Sequence, residues 1–310
     1  MKKILLTGAK GFVGKNLYNK ILHENRYEVT ALGHKELDLF DEQRVKCYFQ
    51  EHQYDFIIDA SVAGNVRPSG NESNDLLLLN QNLRMFYNLV NYKNDNAKLI
   101  YFGSGAEYDK RYPNCKVNED KVGHSIPADS YGFAKYMMSH YASNHAEITC
   151  LRIFGLYGPF EDYAYKFISN SIVKTLFKMP IIIHQNVIFD YLYIDDLTSI
   201  IVYMLENWPR NRVINVTPTE SIDLIKISQI IQKIHSCDYG IQVTKEGLNN
   251  EYTGDNKKLL EEISPFSFTS YYDGITKLTE YYRAIRDRLD ESLIRNDQYF
   301  RYTEKRNSRK

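Results

Sequence analysis

Thr7–Gly14 reads TGAKGFVG, set between the apolar run KILL at Lys3–Leu6 and an amphipathic stretch from Gly14 to Glu24. A glycine-rich turn that joins a strand to a helix is the context a dinucleotide-binding turn requires. Gly8 permits the tight turn, Gly11 lets backbone amides approach a pyrophosphate, and Gly14 lets the helix pack close to the sheet. The helix N-terminus then faces the phosphate charge. Phe12 and Val13 complete the cradle. The glycines stand at positions one, four and seven of the motif, where one, three and six is the commoner spacing.

Short apolar runs alternate with amphipathic stretches over the first two thirds of the chain, which is the pattern of an α/β, doubly wound parallel sheet. Further strands are predicted at Glu28–Leu32, Glu36–Leu39, Asp55–Ala60, Lys98–Phe102 and Thr149–Phe154. Helices are predicted at Glu42–Glu51, Leu76–Tyr92 and Tyr131–Ser143. Beyond LYGP at Leu156–Pro159 the pattern loosens into a helix at Tyr165–Phe177, a strand at Ile181–His184, a helix at Asp195–Glu206 and a strand at Val213–Val216. Then come a helix at Ile222–Ile234, with Ser221 as its expected N-cap, and a last helix around Ile275–Leu289. The expected organisation is a dinucleotide-binding domain over 1–160 with a return segment near 186–216. A smaller α/β substrate domain is expected from 161–185 and 217–290. A basic tail is expected at 291–310, with its last residues, RYTEKRNSRK, read as frayed and solvated.

The chain has 310 residues, 43% apolar and 25% charged, with zero formal net charge. That size carries a sizeable core, and the charge balance gives no general attraction to nucleic acid or anionic membranes. Cys47, Cys115, Cys150 and Cys237 have neither paired nor zinc-ligand spacing, so no metal is expected and a reduced cytoplasmic protein is. The opening MKKILLTG lacks a secretory apolar region, and no run approaches the length of a membrane helix.

Tyr131 and Lys135 stand four residues apart in YGFAK, and Ser104 lies upstream in FGSGAEY. Four residues is about one helical turn, so the phenol and the ammonium share a face. Such a pair exchanges a proton with a sugar or alcohol oxygen, and a serine hydroxyl aimed at the same oxygen stabilises the charge that hydride transfer creates there. At the end of the second strand the chain reads ALGHKELD, with Gly33 where an acidic residue would grip the adenosine ribose. With no carboxylate at that place and His34 and Lys35 following, NADP is favoured over NAD.

TGAKGFVG, LDLFD, GSGAEY, YGFAK, LRIFGLYGP and YLYIDDL, in this order and spacing, resemble the extended short-chain dehydrogenase/reductases. Within them the chain is similar to the nucleotide-sugar epimerase, dehydratase and 4-ketoreductase group. The match covers most of residues 1–216. The resemblance implies a Rossmann-type fold and a nucleotide-diphosphate sugar as substrate. It implies that Tyr131 is the general acid/base, that Lys135 holds the nicotinamide ribose and favours the phenolate, and that Ser104 orients the reacting oxygen. It implies too that Asp38 and Leu39 meet the adenine edge, that Ala60 and Ser61 lie beside the cofactor, and that Phe154 and Gly155 flank the nicotinamide.

Departures from the group narrow the reaction. Dehydratases of the group carry acidic residues just after the serine or threonine, where this chain has Gly105 and Ala106, with Glu107 one place late and facing away. Fucose-synthase-like members place a cysteine where Ala106 stands. Reduction of an NDP-4-keto-(6-deoxy)sugar at C4 is the leading expectation. A 4-epimerase with tightly bound NAD and a non-catalytic NAD(P)-binding regulator are the alternatives. Many relatives have an arginine before the YLYIDDL segment, where this chain has Ile188 and Phe189, leaving Lys166 or Arg212 as substitutes. Asp195 and Asp196 are expected to cap a helix, and His184 to be structural. Relatives dimerise through the two helices that here carry Leu77, Leu83, Phe86, Leu89, Met137, Met138 and Tyr141, so a homodimer is expected.

Overall fold

In β1, Lys2–Thr7, the alternation of a strand sends Ile4 and Leu6 to one face and Leu5 to the other. All three are fully buried, so this strand lies inside a sheet covered on both sides. The computed structural model describes residues 1–64 and 75–307. After β1 come α1 (Phe12–His23), β2 (Tyr27–Leu32), α2 (Glu42–Glu51), β3 (Phe56–Asp59), α3 (Asp75–Tyr92) and β4 (Lys98–Ser104). They are followed by β5 (Asn114–Val117), α4 (Ser130–Ala142), β6 (Ile148–Ile153), β7 (Gly155–Tyr157), α5 (Phe167–Leu176) and β8 (Ile181–Asn186). The rest are β9 (Ile188–Phe189), β10 (Tyr191–Tyr193), α6 (Ile194–Glu206), β11 (Val213–Val216), β12 (Ile222–Asp223), α7 (Leu224–His235), β13 (Ile241–Leu248), β14 (Tyr252–Gly254), α8 (Lys257–Ile263), α9 (Tyr271–Ala284), α10 (Glu291–Arg295) and α11 (Gln298–Asn307).

Six strands form one parallel sheet in the order β11-β6-β4-β3-β1-β2. The reversal of order between β1 and β3 makes a crevice at the carboxyl edge, where ligands bind in open α/β sheets. Helices α2, α3 and α4 cover one face over Leu5, Ile57, Leu99, Tyr101 and Phe86. The other face, carrying Ile4, Leu6, Ile58, Ile100 and Leu151, is covered by α1 and α6, and its core continues into α5, α7 and α9. A four-stranded sheet, β12-β9-β14-β5, lies beyond the carboxyl edge. Helix α2 is started by Asp41, whose side chain accepts from Arg44 N at 3.1 Å.

Three expectations need correction. Glu36–Leu39 is not a strand: the Gly33 carbonyl accepts from both Glu36 N and Leu37 N, the Asp38 carboxylate accepts from Phe40 N, and Leu37 and Leu39 plug the core from a turn. Ser221 does not cap α7. Asp223 does, accepting from Lys226 N at 2.9 Å, while the Ser221 hydroxyl is spent on buried Asp190. The basic tail is helical through Asn307, so 301–307, expected to fray, continue α11. Ile294 is fully buried, and Lys174, itself 1% exposed, donates to Asp297 at 2.8 Å. Residues 308–310 of that stretch lie outside the described residues.

Glu161, just past LYGP, is buried beneath the second half of the chain and accepts from Ser169 Oγ at 2.5 Å. Burial pushes its carboxyl up to about 7. The folded state therefore holds a proton that the unfolded chain releases near pH 4.5, so this group's contribution is complete below pH 4.5 and is lost as pH rises through 7. Glu161→Gln is expected to stabilise the protein by about 2–3 kcal/mol at pH 8 and by little at pH 4, read by urea denaturation at both pH values. Equal effects at both would show that the carboxyl titrates in the folded protein as it does in the unfolded chain.

Candidate active site

The glycine-rich turn is packed too tightly for side chains. Gly8 has φ +65°, and a Cβ there would lie 2.4 Å from the Ala60 carbonyl oxygen. One on Gly14 would lie 2.2 Å from the Gly8 carbonyl oxygen. Gly11 N donates to Gly8 O at 3.0 Å and begins α1 without any side-chain cap, which leaves the first amides of the helix facing the crevice. This cradle fits the pyrophosphate of a dinucleotide. Phe12 and Val13 open α1 half-buried against the core. Ala60 and Ser61 leave β3 beside Gly8, held by Asp59, which accepts from Thr7 Oγ1 at 2.7 Å and from Ser61 N at 2.9 Å. Asp59 was not among the sequence candidates; an aspartate ending the apolar run DFIIDA was its only signal.

At the end of β2 the premise for excluding a carboxylate fails. Glu36 folds back from the turn, accepts from Gly33 N at 2.9 Å and pairs with Lys10 of the glycine-rich turn. A Cβ on Gly33 would sit 3.0 Å from the Glu36 carboxylate and 2.9 Å from the Lys10 stem. The space over residue 33 thus holds an acid and a base at once. His34 is exposed and leans on Asp38, with 3.4 Å between Nδ1 and Oδ1, and Lys35 is exposed. Leu39 is directed into the core, and its carbonyl accepts from Asn88 Nδ2 at 2.9 Å.

Ser104 is the last residue of β4, at the carboxyl edge. Its amide donates to Glu107 Oε1 at 2.8 Å, and its Oγ accepts from Ala106 N at 3.1 Å. With that lone pair engaged, the hydroxyl proton is free to be donated outward. Asp129 caps α4 by accepting from Gly132 N at 2.9 Å. Gly132 lets the helix press onto the turn after Ser104, since a Cβ there would lie 2.4 Å from Ala106 O. This contact brings Tyr131 and Lys135 to the serine's side of the sheet. Lys135 is 5% exposed, donates to Phe102 O at 2.7 Å and lies 6.0 Å from the centre of the Tyr131 ring. Tyr131 is 40% exposed. Phe154 follows β6 and packs on Tyr108 and Tyr252, with ring centres 5.8 and 5.2 Å away.

Behind the serine lies an ion pair the sequence analysis missed. Arg152, 1% exposed, places Nε 2.8 Å from Glu107 Oε2, and its Nη1 donates to Tyr108 Oη at 2.9 Å and Asn215 Oδ1 at 3.2 Å. Burial pulls the guanidinium's pKa down, but Glu107 outweighs it and the net direction is up, so the group stays charged. Glu107 does face away from the crevice, into this pair.

Past the serine, a cavity of about 400 Å³ is lined by Tyr108, Asn114, Lys116, Lys121, His124 and Ser125, among others. At its wall Asp109 is held down to about 2 by its hydrogen bond from Arg111. Lys116, at φ +42°, turns its ammonium to within 3.3 Å of Asp190, next to Phe189. The suggested substitutes are elsewhere: Arg212 precedes β11 at the opposite edge of the sheet, bonded to the Ala146 carbonyl, and Lys166 precedes α5. Asp195 and Asp196 do not cap α6. Asp196 instead accepts from Thr269 N and Oγ1, and Asp195 lies 3.8 Å from Lys277. His184 stands beside Phe300 in the second half of the chain. No cluster of metal-ligating residues occurs among the described residues.

Residues 4–217 match the NAD dependent epimerase/dehydratase family. The chain is 26% identical to GDP-L-colitose synthase of Yersinia pseudotuberculosis, across 90% of this chain and 97% of that protein. Its fold is that of the NADP-bound GDP-mannoheptose C4 reductase from Campylobacter jejuni, with TM-score 0.78 at 18% identity over 91% and 98% of the two chains. The UDP-glucose 4-epimerase of Thermotoga maritima superposes at TM-score 0.77 with 20% identity, covering 92% and 99%. The chain therefore belongs to the NAD dependent epimerase/dehydratase family and is an NAD(P)-dependent enzyme of sugar-nucleotide chemistry.

Proposed function

We propose that the protein reduces a GDP-linked 4-keto-6-deoxy sugar at C4 with NADPH. The observation that carries this reading is the convergence of Ser104, Tyr131 and buried Lys135 at the carboxyl edge, with Gly105 and Ala106 offering no acid for elimination. The GDP-sugar names of the Yersinia relative and the Campylobacter structure support the nucleotide, and the bound NADP of the latter supports the cofactor.

A reduced nicotinamide held in the crevice would supply hydride to the sugar carbon. The turn at Gly8, Gly11 and Gly14 would hold its pyrophosphate, with Ala60 and Ser61 alongside. Ser104 donates its free hydroxyl proton to the reacting oxygen, and Tyr131 passes its phenolic proton to that oxygen as charge develops. Lys135, anchored on Phe102 O, keeps a positive charge 6.0 Å from the centre of the Tyr131 ring, beside the oxygen that carries negative charge once its proton is passed on. The expected result is NADPH oxidation with a GDP-4-keto-6-deoxyhexose and none with the corresponding 4-hydroxy sugar. Failure to consume NADPH with GDP-, UDP- and dTDP-linked 4-keto sugars alike would reject the reading.

Glu36 over Gly33 favours a second reading, a 4-epimerase that retains NAD, because a carboxylate there can accept from ribose hydroxyls. Nucleotide released from the purified protein separates the two. A homodimer through α3 and α4 in the cytoplasm belongs to the same proposal. Phe86, Leu89 and Met138 are consumed by the monomer core, and Leu77 and Met137 remain exposed for a partner helix.

A further inference from the structure

Gly103, one residue before the serine, is bare because of what lies against it. A Cβ there would sit 2.5 Å from Glu107 Oε1 and 2.5 Å from the Cys150 sulfur, and the backbone angle does not itself call for glycine. The space admits a fully buried carboxylate beneath Ser104. Both of its oxygens are engaged. Oε1 accepts from the Ser104 amide at 2.8 Å, and Oε2 lies 2.8 Å from Nε and 2.7 Å from Nη2 of Arg152.

The guanidinium is held in its turn. Arg152 stands opposite Gly103 in the sheet, and its Nη1 reaches Tyr108 and Asn215, the latter on β11. The Asn215 side chain donates to the Val117 carbonyl at 2.9 Å and to the Asp255 carbonyl at 3.3 Å. One chain of polar contacts therefore ties the serine amide to the carboxyl ends of β4, β6 and β11, and to the segments that leave β5 and β14. Stability alone does not call for this arrangement, because apolar side chains of similar volume often replace a buried ion pair without loss. What an apolar pair cannot supply is an acceptor for the serine N–H.

We infer that Glu107 is a positioning residue for Ser104, with Arg152 fixing it in place, and that the pair sets the direction in which the serine hydroxyl donates. The inference rests on the proposed function, which puts the reacting oxygen at Ser104 and Tyr131. Two bonds define the serine: Glu107 holds its amide, and Ala106 N holds one lone pair of its Oγ. With both in place the hydroxyl proton has a fixed outward course. Its bond to the sugar oxygen strengthens as charge develops there, so a misdirected hydroxyl lowers kcat and leaves KM and NADPH affinity near their wild-type values.

The test compares two double variants that are alike in charge and differ in the acceptor, turning over a GDP-4-keto-6-deoxyhexose with NADPH, and reads folding from thermal melts. Glu107→Val with Arg152→Met removes the acceptor and is expected to lower kcat by on the order of 10–100-fold, with KM within about threefold. Glu107→Gln with Arg152→Met returns a carbonyl oxygen to the serine amide and is expected to bring kcat back to within about fivefold of wild type. Placed on Ser104→Ala, the valine pair is expected to cost no more than a further twofold or so, since there is no hydroxyl left to direct. If the valine pair does not fold, Glu107→Gln alone replaces it: Arg152 claims the one oxygen, the serine amide loses its acceptor, and the same fall in kcat is expected. Wild-type kcat in the variant without the acceptor, no recovery with glutamine in the double variant, or a full further loss on Ser104→Ala overturns the inference and leaves the proposed function standing. A wild type that turns over no 4-keto sugar overturns both.

Discussion

Tyr131→Phe is expected to lower kcat by on the order of 10²–10⁴ while NADPH affinity stays within about twofold. The phenol is 40% exposed, and under the proposed function removing its oxygen takes away the proton donor. The α4 start is fixed by Asp129 and by the Gly132 contact, neither of which involves that oxygen. Steady-state turnover and NADPH fluorescence titration on the same preparation check the split. A variant that keeps wild-type turnover would remove Tyr131 from the chemistry.

The second large effect concerns folding. Glu107 is fully buried and Arg152 nearly so, and each is the other's counter-ion. Removing one partner leaves an uncompensated charge in the interior, so Glu107→Ala is expected to cost about 3–5 kcal/mol in urea denaturation. Replacing both partners together, Glu107→Val with Arg152→Met, is expected to recover most of that loss, because two apolar side chains leave no buried charge. The recovered double variant would still lack the acceptor that holds the Ser104 amide. A single variant as stable as wild type would show that water reaches the pair.

These two effects differ in how far they can be read from sequence. Tyr131 and Lys135 announce themselves through helical spacing, and Gly8, Gly11 and Gly14 through their place between an apolar run and an amphipathic one. Local periodicity also marked the six sheet strands, the inner ones most plainly, since β3, β4 and β6 are buried on both faces and so read as apolar runs. Glu36–Leu39 misled because its two leucines are buried from a turn, which produces the same alternation as a short strand. Arg152 sits inside the strand-like TCLRIF, and its partner lies 45 residues away, a pairing that spacing does not reveal. Glu36 escaped notice because it reaches the end of β2 by folding back over a glycine, and the side chain expected there belongs to residue 33. Gly105 read as a missing acid, whereas its bareness makes room for the rings of Phe154 and Tyr252, which reach it from β6 and β14. The stretch after 291 was set apart as a basic tail because its charges dominate its composition, yet Ile294 and the Lys174–Asp297 pair bind it to α5.

The most direct test of the account follows the hydrogen itself. The protein is incubated with a GDP-4-keto-6-deoxyhexose and NADPH carrying deuterium at the transferable position of the nicotinamide, and the product sugar is analysed by mass spectrometry and proton NMR. The account predicts one deuterium, at C4 and on a single face, with one NADPH oxidised per sugar. A product without deuterium at C4, or a C4 epimer formed with no NADPH consumed, would contradict it.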